Sequence, residues 1–287
     1  MHISKIHEIP LGEYYVNFHQ KKDLHTGELL PFTNKEEYLS VDFLNSDNLF
    51  AWSRYADKEE VRSYLLKRLR WRVEQKKLQY APSHIEIQLF DLPSVDLYKE
   101  FFGSYSEACN ILKIMPLLPK NIMANFFQKN PELDKLKILV DTREQQPLSF
   151  DRSMKMKLDF GDYAIGAPHY DYTYVDRKSE SDFKSTLSTG FERFKREIER
   201  AKKFSSFIFV VVESSIEKII ENNNFGPHQA NLSYIWHNTR VLSHEYKDNC
   251  QFLFSGSRAM SEFLIPKILL YGKKNWETDM QYFLDKR

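Results

Sequence analysis

Cysteine is nearly absent from this sequence: 287 residues carry two, Cys109 and Cys250, far apart and with no CxxC partner. Neither a zinc ribbon nor a disulfide framework can be assembled from them, and both read as small buried hydrophobes. Also missing is any apolar run of membrane-spanning length. The amino terminus, Met1-His2-Ile3-Ser4-Lys5-Ile6-His7-Glu8, interrupts its apolar residues with charge where a signal peptide needs a continuous core. The expectation is an intracellular protein, cytoplasmic or nucleoid-associated, not secreted and not held in a membrane. No G-x-x-x-x-G-K-S/T string occurs, so no ATP-driven motor is expected. A surplus of one charge is lacking as well, since 41 Lys and Arg face 40 Asp and Glu. What is present is a mixture, 42% hydrophobic and 28% charged, that folds as a globule, and a length sufficient for one large or two ordinary domains.

The balanced total conceals local imbalance. Residues 1–50 hold four Lys against eight acids, whereas residues 58–80 hold eight Lys and Arg against three Glu. In that second stretch Val61, Leu65, Leu69 and Val73 recur four apart, with Leu66 and Leu78 on the same side, which predicts one amphipathic helix. Its basic residues, Arg62, Lys67, Arg68, Arg70, Arg72, Lys76 and Lys77, are expected to cover the remaining surface, either as a solvated face or as phosphate contacts. Two short helices follow, 95–102 and 104–113, around Gly103 with Ser104 as N-cap, a helix-turn-helix pattern. Residues 116–136, with Pro116, Pro119 and Pro131, read as a linker between an amino-terminal domain, 1–115, and a second domain, 137–287.

From residue 137 the pattern changes. Strand-like segments at 137–141, 163–166, 172–178, 207–213 and 250–255 alternate with helical stretches at 180–189, 191–204, 228–247 and 257–270. That alternation predicts an α/β layer fold around a mostly buried sheet, with the continuously apolar FIFVVVE at its centre. Within Thr173–Lys178, residues two apart share a face, so Asp176 and Lys178 project together and Arg177 points away. If the strands on either side pair antiparallel about His169, their midpoint, Asp162 stands opposite Asp176. Two carboxylates at that spacing repel unless a cation lies between them. A magnesium ion taking one or two carboxylates, waters and a substrate phosphate would resolve the conflict. Such an ion can polarise a phosphodiester and acidify water, with Lys178 positioning or deprotonating the attacking molecule. The alternative is a surface hairpin with ordinary salt bridges.

The flanking motifs bear on that choice. Val140-Asp141-Thr142-Arg143-Glu144, then Gly161-Asp162, then Asp176-Arg177-Lys178 followed by Asp182, resemble the nuclease domain of xeroderma pigmentosum group F (XPF) type structure-selective endonucleases, a branch of the PD-(D/E)XK superfamily. The resemblance spans roughly residues 137–272 and implies a restriction-endonuclease-like central mixed sheet flanked by helices, preceded by a mainly helical DNA-binding region. It further implies Asp162 and Asp176 as metal ligands, Asp141 reaching the same or a second ion, and Lys178 serving the attacking water. Mg²⁺ is the implied cofactor, with Mn²⁺ able to substitute. Glu144 and Arg177 are implied to fix the carboxylates. Asp182 completes the motif but also forms a helix-capping pattern with Ser179, and both readings stand. Arg193 and Arg196, on the helix from Phe191, are candidates for phosphate contact. Departures exist: Asp176 stands where the family usually has Glu, Phe191 and Glu192 separate Gly190 from Arg193, and too few residues follow 272 for the family's paired helix-hairpin-helix module. The string Phe102-Gly103-Ser104-Tyr105 within 93–114 also resembles a helical repeat found beside homing nucleases.

Histidines offer no competing centre. His237, Asn238 and His244 fall in a predicted helix where an HNH nuclease needs a hairpin, and His19 and His25 lack cysteine neighbours. The sequence therefore predicts a Mg²⁺-dependent DNA endonuclease, structure-selective or site-specific, possessing DNA as partner and acting alone, as a homodimer or with another protein. The competing reading is a DNA-binding subunit that keeps the nuclease fold without turnover.

Overall fold

A computed structural model describes residues 7–9 and 13–15 and, from residue 49 onward, all but 51, 55, 91, 129 and 226–228. Most of the acidic first fifty residues, His19 and His25 included, thus lie outside the described residues. The chain divides into two compact units, Met1–Pro116 and Leu117–Arg287.

In the first unit, strands β1 (His7–Ile9) and β2 (Glu13–Tyr15) pair antiparallel. Helix α1 (Lys58–Lys76) starts where the Asp57 carboxylate accepts from Glu59 N, and it ends at Lys77 in the left-handed conformation. Helices α2 (His84–Leu89), α3 (Val95–Phe102) and α4 (Tyr105–Ile111) follow. The bend between α3 and α4 needs Gly103, whose φ is 84°, and Ser104 caps α4 by accepting from Glu107 N at 3.0 Å. The core joins Trp52, Leu65 and Leu69 to Tyr98, Ala108 and Cys109, and the Tyr98 hydroxyl donates to Leu65 O at 3.1 Å.

Here the expected solvated basic face of α1 is corrected. Its buried stripe runs Val61, Tyr64, Leu65, Arg68, Leu69 and Arg72, so two of the arginines expected on the surface lie inside. Arg72 donates to Glu86 Oε1 from Nη2 at 2.8 Å and stacks on the Phe90 ring at 3.8 Å, while Arg68 covers the Trp71 ring at 4.9 Å. The reason is geometric: positions 68 and 72 continue the four-residue spacing of 61, 64, 65 and 69, and arginine can follow an apolar stripe when a carboxylate awaits its head. Arg62, Lys67 and Arg70 remain at least partly exposed.

The second unit takes in the expected linker. Phe126 and Leu136 are buried in its core, a 3₁₀ helix spans Pro131–Lys135, and the Phe126 ring meets Tyr271 at 5.3 Å. Prolines there break regular structure, yet Leu117, Phe126 and Leu136 are buried, so this segment is folded. The unit is mixed α/β: a six-stranded sheet flanked by helices. The strands are β3 (Ile138–Asp141), β4 (Ser153–Met156), β5 (Tyr163–Ile165), β6 (Thr173–Lys178), β7 (Phe207–Val212) and β8 (Cys250–Phe254), in the order β4-β3-β5-β6-β7-β8. β3 pairs parallel with β4, β5 is antiparallel to both β3 and β6, and β6, β7 and β8 run parallel. Phe207–Val212 of FIFVVVE form β7, second from the edge and not central. The strand is buried throughout because helices cover both faces.

The helices of this unit are α5 (Glu180–Thr186), α6 (Phe191–Lys203), α7 (Ile216–Phe225), α8 (Leu232–Glu245), α9 (Arg258–Tyr271) and α10 (Met280–Asp285). Val140, Tyr163, Val175, Phe209 and Val211 pack with Leu264, Ile265 and Ile268 of α9. Phe252 and Phe254 of β8 meet Phe183 of α5, at 6.3 and 5.4 Å between ring centres. Both cysteines are buried and unpaired, and burial pushes the Cys109 thiol up to about 12, so it is inert at neutral pH. Among the described residues no helix is long and apolar enough to cross a membrane.

Candidate active site

Two antiparallel pairings bring the motifs together. β5 and β6 are in the register Tyr163↔Val175 and Ala164↔Tyr174, and Asp162 lies one residue before that ladder. Asp162 N donates to Val175 O at 2.8 Å, which closes the end of β5 onto β6 beside Asp176. Gly161 makes this approach feasible: its φ is 56°, and a Cβ at this position would lie 2.7 Å from Val175 O. On the other side, Asp141 N donates to Asp162 O at 2.8 Å, which anchors the end of β3 to the same point.

The carboxylates differ in what they hold. Asp162 Oδ2 accepts from the backbone N–H of Arg177 at 2.8 Å. Burial raises its pKa well above the ordinary carboxylate range, and the neighbouring Asp176 adds to the shift. Asp176 is bridged by Lys178 Nζ, 3.1 Å from Oδ1 and 2.9 Å from Oδ2, and the ammonium also sits 5.0 Å from the centre of the Phe194 ring. Burial pulls the Lys178 pKa down, but Asp176, Asp162 and Glu197 outweigh it and the net direction is upward. Asp141 is already engaged: Oδ1 accepts from Arg143 N and Nε at 2.8 and 2.6 Å, and Oδ2 from Leu158 N at 2.7 Å and Arg143 Nη2 at 3.2 Å. Burial works to raise its pKa, yet these donors prevail and lower it.

Arg177 leaves the opposite face of β6. Its guanidinium donates to Glu213 Oε2 at 2.9 Å, to Glu144 Oε1 at 3.1 Å and to Gln146 O at 3.2 Å. Arg258 joins from α9, donating to Gln146 O and Pro147 O at 2.9 Å each. This network ties the loop after β3 to the ends of β6 and β7. Asp182 caps a helix: its N–H donates to Ser179 Oγ at 3.2 Å, and that hydroxyl donates to Asp182 Oδ2 at 2.7 Å. The sequence left two roles open for Asp182, and these bonds are those of the capping role. Arg193 and Arg196 are exposed on α6.

One functional candidate escaped the sequence. Glu197 of α6 accepts from Gly161 N at 3.4 Å, and its pKa is raised by burial first and by Asp176 next. The available signal was its place on the apolar side of α6, three residues after Phe194 and four before Ala201, where an acid has no reason to be. Among the described residues, no three His, Cys, Asp or Glu side chains form a ready-made metal cage. The donor set nevertheless fits a hard cation that needs one or two carboxylates and fills its remaining positions with water and phosphate. Asp162 and Asp176, close enough to act on one another electrostatically, could supply those carboxylates.

No family model matches this chain, and no curated protein matches it significantly. Solved structures that are similar include XPF from Aeropyrum pernix, at 19% identity, covering 48% of this chain and 69% of that one with a TM-score of 0.37. Another is XPF from Aeropyrum pernix in complex with DNA, at 18% identity, covering 49% and 66% with a TM-score of 0.36. Nothing in the comparisons supports the likeness of residues 93–114 to the homing-nuclease repeat. The chemistry of the site rests on its own geometry.

Proposed function

We propose that this protein is a divalent-metal-dependent DNA endonuclease that hydrolyses phosphodiester bonds, with Mg²⁺ as the resident ion and Mn²⁺ able to replace it. The observation that carries the reading is the electrostatic proximity of Asp162 and Asp176, with Lys178 bound to the second of them. Asp162 and Asp176 would hold the ion, and when bound it supplies Lewis-acid polarisation of the scissile phosphoryl group. Lys178 is placed to donate to a water or phosphate oxygen beside Asp176, orienting the nucleophile and offsetting the charge that develops on phosphorus oxygens. Glu197 holds the turn at Gly161 from the other side. Asp141 would be available to the ion only with Arg143 turned away from it. That arginine's side chain is 63% exposed, so a DNA phosphate can compete for the guanidinium and free the carboxylate. Arg193 and Arg196 on α6 and Arg62, Lys67 and Arg70 on α1 are proposed phosphate contacts, which position nucleic acid without reading sequence.

The test incubates the full chain with Mg²⁺ or Mn²⁺ and duplex, flap, fork, four-way-junction and single-stranded DNA. Cleavage that EDTA stops is expected. Asp176→Asn and Lys178→Ala are each expected to cut it by at least about a hundredfold while leaving DNA binding intact. Wild-type rates in either variant would refute the assignment.

A further inference from the structure

A line of five aromatic rings leads away from the acidic site. Phe204 meets Phe160 at 6.1 Å between ring centres, Phe160 meets Tyr174 at 5.4 Å, Tyr174 meets Tyr170 at 6.1 Å, and Tyr170 meets Tyr172 at 5.1 Å. The inner members, Phe160 and Tyr174, are buried, and the Tyr170 and Tyr174 hydroxyls are 2.6 Å apart. The outer ones are not: Phe204 is 63%, Tyr172 48% and Tyr170 39% exposed. Ordinary folding offers no reason to leave three large rings in water at the ends of a packed stack.

Two features show that the arrangement is held in place. Tyr172 has a φ of 69°, a left-handed conformation that costs energy for a residue with a bulky ring. The turn is fixed on each side: Asp171 accepts from Thr173 N at 3.2 Å and from Lys273 N at 2.7 Å, and Phe207 N donates to Tyr172 O at 3.0 Å. Cations fringe the rings as well. Arg200 lies 4.9 Å from the Phe160 centre and donates to Asp159 O at 2.6 Å, and Lys273 Nζ lies 5.2 Å from the Tyr172 centre. Lys203 and Lys274 are exposed nearby in sequence. The acids here are Asp159 and Asp171, and the second commits both oxygens to backbone N–H groups.

We propose that Phe204, Tyr170 and Tyr172 form a stacking platform for the unpaired bases of single-stranded DNA, with Arg200 and Lys273 facing the backbone. Exposed rings between cations are the chemistry that holds single strands without sequence preference, and a paired base cannot offer its face to them. The platform is continuous with the site. Phe160 immediately precedes Gly161 and Asp162, and Tyr174 shares its face of β6 with Asp176 and Lys178. From Thr173, the residue after Tyr172, to Asp176 is about 10 Å along β6, on the order of three stacked nucleotides. A strand lying on these rings would therefore arrive at the carboxylates.

This rests on the DNA-binding part of the function proposed above, and its test is independent of cleavage. Fluorescence anisotropy of a labelled single strand and of the matching blunt duplex is measured in EDTA with the full chain. The variant Phe204→Ala with Tyr172→Gly removes two rings and relieves the left-handed turn. It is expected to bind the single strand roughly 5- to 100-fold more weakly for each ring that stacks, with little change on the duplex. Phe204→Trp with Tyr172→Phe keeps the rings and should keep the affinity. Wild-type affinity of the ringless protein for the single strand overturns the proposal, and so does an equal loss on the duplex. Should the double variant fail to fold by circular dichroism, Phe204→Ala and Tyr172→Gly are read separately against the same two outcomes. Ring-dependent binding by a protein that cleaves no DNA would sink the nuclease reading and leave this one standing.

Discussion

Arg177→Met offers a demanding test of how the site is held. The guanidinium is 9% exposed and stands between Glu144 and Glu213, themselves 8% and 11% exposed. Burial alone would lower the Arg177 pKa, but the two carboxylates more than compensate and raise it. Removing the cation leaves Glu144 without its guanidinium and Glu213 with only the longer contact to Arg258, at 3.5 Å. Breaking one side of such a buried network costs about 3–5 kcal/mol. For a unit of this size each kcal/mol is worth about 2–4 °C, so the melting temperature should fall by about 6–20 °C. Urea unfolding followed by tryptophan fluorescence should show a lower midpoint at unchanged slope. The variant keeps the backbone N–H that donates to Asp162 Oδ2, so its effect reports the network and not that bond. Adding Glu144→Gln and Glu213→Gln should recover much of the loss, because the stranded charges disappear with the cation. A loss below about 1 kcal/mol for Arg177→Met, or no recovery in the triple variant, would show that the cluster is wetter and weaker than these contacts indicate.

Asp162 gives a pH dependence of definite sign. Its folded pKa lies above the unfolded value of about 3.9, so the native state binds the extra proton and stability is lost as pH rises through the folded pKa. In EDTA, Asp162→Asn should therefore flatten the fall in melting temperature above the ordinary carboxylate range and exceed the wild type at neutral pH. A steeper dependence in the variant would contradict the burial of this group. Gly161→Ala combines a φ of 56° with a contact of 2.7 Å to Val175 O, and it should destabilise by about 1–3 kcal/mol in urea unfolding. Because the displacement moves Asp162, cleavage under single-turnover conditions should fall further than stability does, and wild-type turnover would refute the link.

Much of the site follows from parity. Residues two apart on a strand share a face, which places Asp176 with Lys178 and turns Arg177 to the other side, and the observed pairing of β5 with β6 is centred on His169 as expected, though it stops one residue short of Asp162. Elements that depend on tertiary partners are less visible. Ser153–Met156 forms an edge strand exposed along its length, so no burial pattern marks it. Arg68 and Arg72 look like surface charges until Glu86 and the rings of Trp71 and Phe90 are placed beside them. The place of β7 within the sheet depends on strand order, which an apolar run cannot encode. Phe126 and Leu136 sit among prolines that read as a linker, although their burial belongs to the second unit.

Charge balance separates scaffold from site. On one side of β6, Glu144 and Glu213 meet Arg177 and Arg258, two acids with two bases, and a closed network of this kind needs nothing further. On the other side, Asp162, Asp176 and Glu197 gather around Lys178, with Arg143 and Arg200 acting on them less strongly. Acids withdrawn from water and close to one another are a poor way to stabilise a fold. These stand next to a glycine that permits close approach of the strands. Burial and the neighbouring Asp176 together favour a proton on Asp162. The divalent cation proposed above would offset the same charge, while the closed network on the other face holds the strand ends in place.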